Sequence, residues 1–358
     1  SAPPIRLVTI GTGDRKIEVG NEVVLFRHEK TFYHPTGLVV RIKDNDPNLA
    51  ALAAQVDGYE VERVGMKMTL NGLAVENASG DAATFAKSVE TIKAKSTLPL
   101  ILMAENPAAM EAALNVAGKD RPLIYAATPA NWQAMTDLAK KFACPLAIRD
   151  TNDLSALATL AENVGKAGVQ DIVLDTGARG LADSLAAFTQ LRRLALKKNY
   201  RLLGYPIIAF AGAATLEEEA VLAAEAIAKY AGIVVLDHFN LCNIYPLMTL
   251  RQNIYTDPQK PIQVEPKLYE IGAPGAKSPL LITTNFSLTF FTVSGEVEGS
   301  GVPAWLLVAD ADGLSVLTSW AAGKFDAEKI AKTVKGSGIA DKLGHKKLVL
   351  PGYVASLS

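Results

Sequence analysis

Cysteine is nearly absent from this chain: Cys144 and Cys242 are the only two in 358 residues. Two thiols cannot build a four-thiolate zinc or iron–sulfur site. Cys144 precedes an apolar run and reads as a small buried hydrophobe. Histidine is also scarce, with four residues, and His28 and His34 lack the helical i, i+4 spacing of a metal pair. No stretch of eighteen apolar residues occurs, so no membrane-spanning helix is expected. Neither charge is in excess: 36 basic and 37 acidic residues leave a net charge of -1. With no long basic run, nucleic acid is not an expected partner. The start, Ser1-Ala2-Pro3-Pro4, carries neither Met nor a signal-peptide pattern. A cytoplasmic chain, processed or cut from a longer one, is the expectation.

What is present is apolar and periodic. Hydrophobic residues make up 49% and charged residues 20%, a balance that suits a well-buried α/β protein. Eight apolar runs recur: Leu38–Lys43, Leu73–Asn77, Leu100–Ala104, Leu123–Thr128, Pro145–Asp150, Ile172–Gly177, Pro206–Ala211 and Ile233–His238. Their starts lie 22 to 35 residues apart, room for one strand and the crossover helix that a parallel neighbour requires. Eight such units in series predict a (β/α)8 barrel. Helical faces follow at Ala82–Lys95, Pro107–Ala117, Ala130–Phe142, Asp153–Ala167, Leu181–Lys198, Leu216–Tyr230 and Ile244–Tyr255. Start signals precede several of them: Asn106-Pro107, Thr128-Pro129, Thr151-Asn-Asp153 and Thr215. Thr256-Asp-Pro258 reads as the stop of the last helix. Upstream, Ile5–Ile10 and Lys16–Phe26 around Gly11-Thr-Gly-Asp14 read as a hairpin closing the barrel's N-terminal end.

Barrel enzymes carry their chemistry at the carboxyl ends of the strands. Here those ends hold Asp44, Asn77, Glu105, Thr128, Asp150, Asp175 and Asp237-His238. Such a set suits a cation or a pterin, although helix capping accounts for most of it.

About a hundred residues follow the barrel. Pro258, Pro261, Pro266, Pro274 and Pro279 punctuate residues 256–279, a stiff linker marking a boundary. The expected division is residues 1–255, hairpin plus barrel; 256–279, linker; and 280–358, a second α/β domain. In that domain Leu280–Thr283, Trp305–Ala309 and Lys347–Leu350 read as strands. Leu314–Ala322 and Ala327–Val334 read as helices, and Phe286–Val297 fits either state. A doubly wound, flavodoxin-like sheet binds ligands beyond its strand ends. Those ends are Thr284–Phe286, Asp310–Ser315 and Pro351–Tyr353.

Several stretches together resemble the large (gamma) subunit of the corrinoid iron–sulfur protein of the acetyl-CoA synthase/decarbonylase system. They are Leu25-Phe-Arg-His-Glu-Lys-Thr-Phe-Tyr-His34, Ile124-Tyr-Ala-Ala-Thr128, Gly204-Tyr-Pro-Ile-Ile208, Arg251-Gln-Asn-Ile-Tyr-Thr-Asp-Pro258, Thr283-Thr-Asn-Phe-Ser-Leu-Thr289 and Asp312-Gly-Leu-Ser-Val-Leu-Thr318. The resemblance covers essentially the whole chain. It implies a TIM barrel followed by a corrinoid (cobalamin)-binding domain, with a [4Fe-4S] domain before Ser1 and a final piece of the corrinoid domain after Ser358. It implies a methyl-group carrier, classed with methyltransferases. Cobalt in the Co(I) state takes a methyl group from methyltetrahydrofolate or a methyl-pterin, through a methyltransferase, and methyl-Co(III) delivers it to acetyl-CoA synthase. The implied partners are a small barrel subunit, forming a heterodimer, that methyltransferase and acetyl-CoA synthase. An ATP-dependent reductive activator is a partner the resemblance leaves open.

By the same resemblance the cofactor would meet Thr283, Thr284, Asn285, Phe286, Thr289, Asp312, Gly313, Leu314, Ser315, Val316, Leu317, Thr318, Pro351, Gly352, Tyr353, Val354 and Ala355. Many corrinoid carriers hold cobalt with the His of a D-x-H-x-x-G loop. Asp310-Ala-Asp312-Gly-Leu-Ser315 has none, so a base-off cobalt without a protein ligand is expected, with Thr318 near its lower face. The linker prolines add an expectation of a mobile second domain. Two other readings stay open: a methyl-pterin-binding methyltransferase using Asp150 and Asp175, and a barrel that serves chiefly for docking.

Overall fold

The computed structural model describes residues 3–26, 29, 32–64, 66–151, 153–255 and 262–357. The chain divides into two compact units, Ser1–Glu60 with Thr69–Tyr255, and Val61–Met68 with Thr256–Ser358. The Thr256-Asp-Pro258 stop, the first linker residues, and Arg27, His28, Lys30 and Thr31 of the quoted N-terminal stretch lie outside the described residues.

The first unit is the barrel that the eight runs predict. A small hairpin comes first, β1 (Val8–Ile10) antiparallel to β2 (Ile17–Val19). Then follow β3 (Gly37–Lys43) and α1 (Leu49–Gly58), and a second hairpin, β4 (Glu60–Arg63) and β5 (Met66–Thr69), whose residues 61–68 belong to the second unit. The series continues with β6 (Gly72–Glu76), α2 (Ala82–Lys93), β7 (Leu100–Met103), α3 (Pro107–Ala117), β8 (Leu123–Ala127) and α4 (Trp132–Phe142). It ends with β9 (Leu146–Arg149), α5 (Leu154–Lys166), β10 (Ile172–Asp175), α6 (Leu181–Lys197), β11 (Ile207–Phe210), α7 (Leu216–Ala228), β12 (Ala231–Leu236) and α8 (Leu241–Tyr255). β3 and β6 through β12 close in chain order, β12 pairing parallel with β3.

Side chains alternate across a strand, and one parity of every barrel strand points inward. Val39, Ala74, Ile101, Leu123, Ala147, Val173, Ile208 and Ile233 form a single buried cluster with Val8, Ile10, Ile17 and Val19. The first hairpin therefore plugs the barrel floor. Its second strand is shorter than the expected Lys16–Phe26 segment. The long first spacing holds its crossover helix, α1, and in addition the β4–β5 hairpin, which the unit pattern does not predict. Helix starts follow capping chemistry. Asp81, Asn106, Asp153 and Thr215 accept hydrogen bonds from Thr84, Ala108, Ala156 and Glu218 backbone N–H groups. Thr128 does not start α4; its own N–H donates to Asn131 Oδ1 at 2.7 Å, and the helix begins at Trp132.

The second unit is a mixed three-stranded sheet. β13 (Leu268–Ile271) runs antiparallel to β15 (Ala304–Ala309), and β14 (Leu280–Thr284) parallel to it, in the order β13-β15-β14. β13 arises inside the Pro-punctuated segment that was read as linker. The segment left open between helix and strand is α9 (Ser287–Ser300). It packs Phe290 against Leu306 and Val308 on one face of the sheet. The opposite face presents Leu280, Ile282, Trp305 and Leu307 to Val316 of α10 (Val316–Ala321) and Ile330 of α11 (Ala327–Gly336). Helices thus cover both faces, as a doubly wound sheet requires. Lys347–Leu350 is not a full strand: Val349 makes one parallel bridge to Leu281. That bridge still places chain on the far side of β14 from β15, so the winding direction switches at β14.

Among the described residues no helix is long and apolar enough to cross a membrane. The two thiols differ sharply. Cys144 is buried, and burial pushes it up to about 11, whereas Cys242 is exposed. Thiolate is the reactive form. Titration with Ellman's reagent near neutral pH is therefore expected to count one thiol in the native protein and two after denaturation. A count of two without denaturant would contradict this packing.

Candidate functional site

Two places merit the term: the mouth of the barrel and the strand ends of the second unit. At the mouth, the inward parity that builds the core continues one step further. Arg41, Glu76, Glu105, Tyr125, Arg149, Asp175, Phe210 and Asp237 each stand two residues beyond an inward-facing residue. With Asp175 beneath, the others line a cavity of about 530 Å³. Asp175 is buried and fully engaged. Tyr125 Oη donates to it at 2.6 Å, Arg179 grips both its oxygens at 2.8 and 3.0 Å, and the Gly177 N–H donates at 2.8 Å. Burial, then the Asp175 carboxylate, hold the Tyr125 phenol above its usual range. Burial opposes the charge on Arg179, but the hydrogen bonds and charges of Asp175 and Tyr125 together outweigh it and raise its pKa. The guanidinium also stacks 4.7 Å from the Phe210 ring centre. Across the mouth Arg41 pairs with Asp237 and lies 3.6 Å from Glu76, while Arg149 pairs with Glu105.

The other expected mouth residues do different work. Asp44 accepts from the Ser79 N–H and hydroxyl and from Asn77, pinning the loop into α2. His238 Nδ1 meets buried Glu219 at 2.8 Å. Asp150 has the opposite parity from Arg149 and does not line the cavity. Of the two acids in the pterin reading, Asp175 lies beneath the cavity and Asp150 points away from it. The strand ends point to Glu105, Asp175 and Asp237 but not to Glu76, Arg41, Arg149, Arg179 or Tyr125; the strand parity carries the signal for all of these but Arg179.

In the second unit the quoted residues gather at the carboxyl ends of β14 and β15, beside the switch point where open α/β sheets bind ligands. Thr283 and Thr284 are buried, and neither hydroxyl has a hydrogen-bond partner within the protein. Asn285, 1% exposed, ties the loops together. Its Oδ1 accepts from Ala311 N–H at 2.9 Å and Gly313 N–H at 3.0 Å, and its Nδ2 donates to Gln263 and Asp310. The Asn285 amide is thus spent on shaping the loop. Gly313 has φ +72°, and a Cβ there would overlap Gln263, so this turn depends on glycine. Asp312 pairs with Lys324 at 2.5 Å. Ser315 caps α10, and its hydroxyl lies 2.9 Å from that of exposed Thr318. Val316 and Val354 are core residues. Leu317, Trp320 and Tyr353 are exposed at 49%, 43% and 77%. Phe286 precedes α9 and Thr289 lies in its first turn; both are half-buried, as are Leu314 and Pro351. Pro351 leads into a 3-10 turn over Gly352–Leu357 that includes exposed Ala355. His345, the second unit's one histidine, meets the Ser278 carbonyl at 2.9 Å. Ser278 precedes β14, so this contact is at the opposite end of the sheet.

A closed (β/α)8 barrel in one unit, with a helix-covered α/β sheet in the other, defines a TIM-barrel protein with an attached doubly wound α/β unit. The chain belongs to the CO dehydrogenase/acetyl-CoA synthase delta subunit family, which it matches over residues 7–358. It is 44% identical over 359 residues to the corrinoid/iron-sulfur protein large subunit of Moorella thermoacetica, covering all of this chain and 80% of that one. It is 36% identical over 371 residues to the acetyl-CoA decarbonylase/synthase complex subunit gamma of Methanothermobacter thermautotrophicus, covering 100% and 81%. The corresponding gamma subunit of Archaeoglobus fulgidus is 38% identical over 372 residues, covering 100% and 79%. The resemblance read from the sequence motifs is borne out.

Proposed function

We propose that this chain is a corrinoid-binding methyl carrier of the acetyl-CoA pathway, holding cobalamin at the carboxyl ends of β14 and β15. The observation that carries the reading is the 44% identity, over the whole chain, to a corrinoid/iron-sulfur protein large subunit. The local chemistry fits. The Thr283 and Thr284 hydroxyls are buried without partners at the switch point, and buried polar groups ordinarily find one. Exposed Leu317, Trp320 and Tyr353 provide apolar surface for a large flat ring. A bound corrinoid supplies a cobalt centre that accepts and releases a methyl group. The residues of this chain bind, orient and shield it. Thr318, its hydroxyl 2.9 Å from that of Ser315, would stand beside the cofactor as a weak oxygen donor, and the single histidine of the unit meets the Ser278 carbonyl, so no protein nitrogen ligand to cobalt would be expected. The proposed partners are a small subunit, a methyltetrahydrofolate or methyl-pterin methyltransferase and acetyl-CoA synthase. An iron–sulfur cluster is not assigned to this chain, whose two cysteines cannot ligate one.

The test is an anoxic ultraviolet–visible titration of the chain, paired with its small subunit, with cobalamin. Base-off bands that convert to Co(I) on reduction are expected. Thr318→His should shift the Co(II) spectrum toward nitrogen ligation. A complex that stays colourless after incubation and desalting would remove the proposal.

A further inference from the structure

The barrel mouth holds chemistry that methyl carriage at the second unit leaves unused. Its charges are sorted by side. On the arc β12-β3-β6, Asp237 and Glu76 flank one cation, Arg41. On the facing arc, Arg149 and Arg179 stand over one carboxylate, Asp175. Between the arcs, Met103, Tyr125 and Phe210 give an apolar floor. The lining residues, three Arg against Glu76, Glu105 and Asp237, sum to zero, which disfavours a highly charged ligand of either sign.

Two buried acceptor atoms bear on what is held. Glu76 Oε2, 3.6 Å from Arg41 Nε in an ion pair without hydrogen-bond geometry, and Asp237 Oδ1, whose other oxygen pairs with Arg41, have no hydrogen-bond partner in the protein, and both residues border the cavity. A desolvated carboxylate oxygen without a donor is costly. Gly212 is fitted to this arrangement: a Cβ there would overlap the Asp237 carboxylate. On the other side Arg179 is locked onto Asp175, but Arg149 pairs with Glu105, whose side chain is 65% exposed. A ligand carboxylate would displace only a solvated partner there, and a guanidinium receives it as a fork.

We propose that the barrel mouth binds a small zwitterion, its N–H-bearing cationic end between Glu76 and Asp237 and its carboxylate at Arg149. The cavity volume is in the range of small-molecule sites. This site is independent of the corrinoid reading, and its test needs no cobalamin.

The probes are 4-guanidinobutanoate, 5-aminopentanoate and 4-(aminomethyl)benzoate, with butylguanidine and hexanoate as single-charge controls. Binding to the full chain is read by isothermal titration calorimetry and saturation-transfer NMR. At least one zwitterion is expected to bind about tenfold or more tightly than either control. Glu76→Gln and Arg149→Gln should each weaken it by about tenfold, Arg149→Lys should restore part of the loss, and Gly212→Ala should abolish binding. Near-ultraviolet circular dichroism checks that each variant is folded. The proposal is overturned if no zwitterion binds at about 10 mM, a concentration that already admits very weak complexes. It is equally overturned if a single-charge control binds as tightly, or if folded Glu76→Gln and Arg149→Gln proteins bind unchanged.

Discussion

Asn285→Ala is expected to destabilise the second unit by about 3 to 5 kcal/mol, since each buried donor left without an acceptor costs about 1–3 kcal/mol. The Ala311 and Gly313 N–H groups, both on buried residues, lose their acceptor together. Gln263 and Asp310 lose a donor in the same step. Asn285→Asp separates these contributions. It keeps the acceptor for both N–H groups but sets a carboxylate against Asp310, 3.2 Å away in the native contact, so it should destabilise less at low pH than at neutral pH. Chemical denaturation followed by tryptophan fluorescence reads the effect. Trp305 is buried in the second unit and Trp320 lies on α10, while Trp132 belongs to the barrel. An alanine variant within about 0.5 kcal/mol of the parent, the range of ordinary surface substitutions, would show that the amide does not organise these loops.

The second large effect lies beneath the barrel. Glu22 and Arg192 form an ion pair at 3.1 Å with side chains 11% and 4% exposed. Arg192 also donates to the Val24 carbonyl and lies over the rings of Tyr230 and Phe32. Glu22→Ala strands a buried guanidinium and is expected to cost about 3–5 kcal/mol. Burial holds the Glu22 carboxyl above its ordinary range, more strongly than Arg192 lowers it. The folded state therefore holds this proton more tightly than the unfolded chain does. The group's contribution to stability is greatest below the unfolded carboxylate pKa and declines as pH rises through that value toward the folded one. Two results follow. Glu22→Gln should cost far less than Glu22→Ala, and the double variant Glu22→Ala with Arg192→Met should recover much of the loss. A thermal denaturation series in which single and double variants are equally destabilised would refute this account.

How much of this was legible beforehand depends on the length scale of each signal. The eight barrel runs are local: apolar stretches followed by capped helical faces, each identifiable within its own window. The β4–β5 hairpin escaped because Glu60–Thr69 alternates apolar with charged residues inside one long spacing, where a single crossover helix was expected. α9 was ambiguous because β-branched Thr292, Val293 and Val297 favour strands. Its register becomes visible only when Phe290, Val293 and Val297 are seen on one face of a helix lying against the sheet. β13 was hidden among prolines, and its partner β15 lies more than thirty residues away in sequence. At the mouth Glu105, Asp175 and Asp237 are legible from strand ends alone, whereas Glu76, one residue before the end marked by Asn77, is not. The arginines needed one further step, following the inward parity from Val39 to Arg41 and from Ala147 to Arg149. The motif around Thr283–Thr289 leads to the loop that the proposed function uses. That Asn285 is a structural tie became evident only with its partners placed.

The hairpin has a consequence for anyone who cuts this protein. Residues 61–68 are counted with the second unit although the chain returns to the barrel at Thr69. The backbone therefore passes between the units three times. Val64, between the hairpin strands, joins the apolar cluster of Val264, Ile271 and Phe290. Cleavage after Tyr255 would not yield two finished pieces. The barrel fragment would carry an orphaned two-stranded hairpin, which is rarely stable alone in water, and the other fragment would lose part of its apolar cover. A barrel prepared for separate study should have residues 61–68 replaced by a short polar turn. Any displacement of the second unit must likewise be accommodated by three covalent tethers instead of one flexible leash.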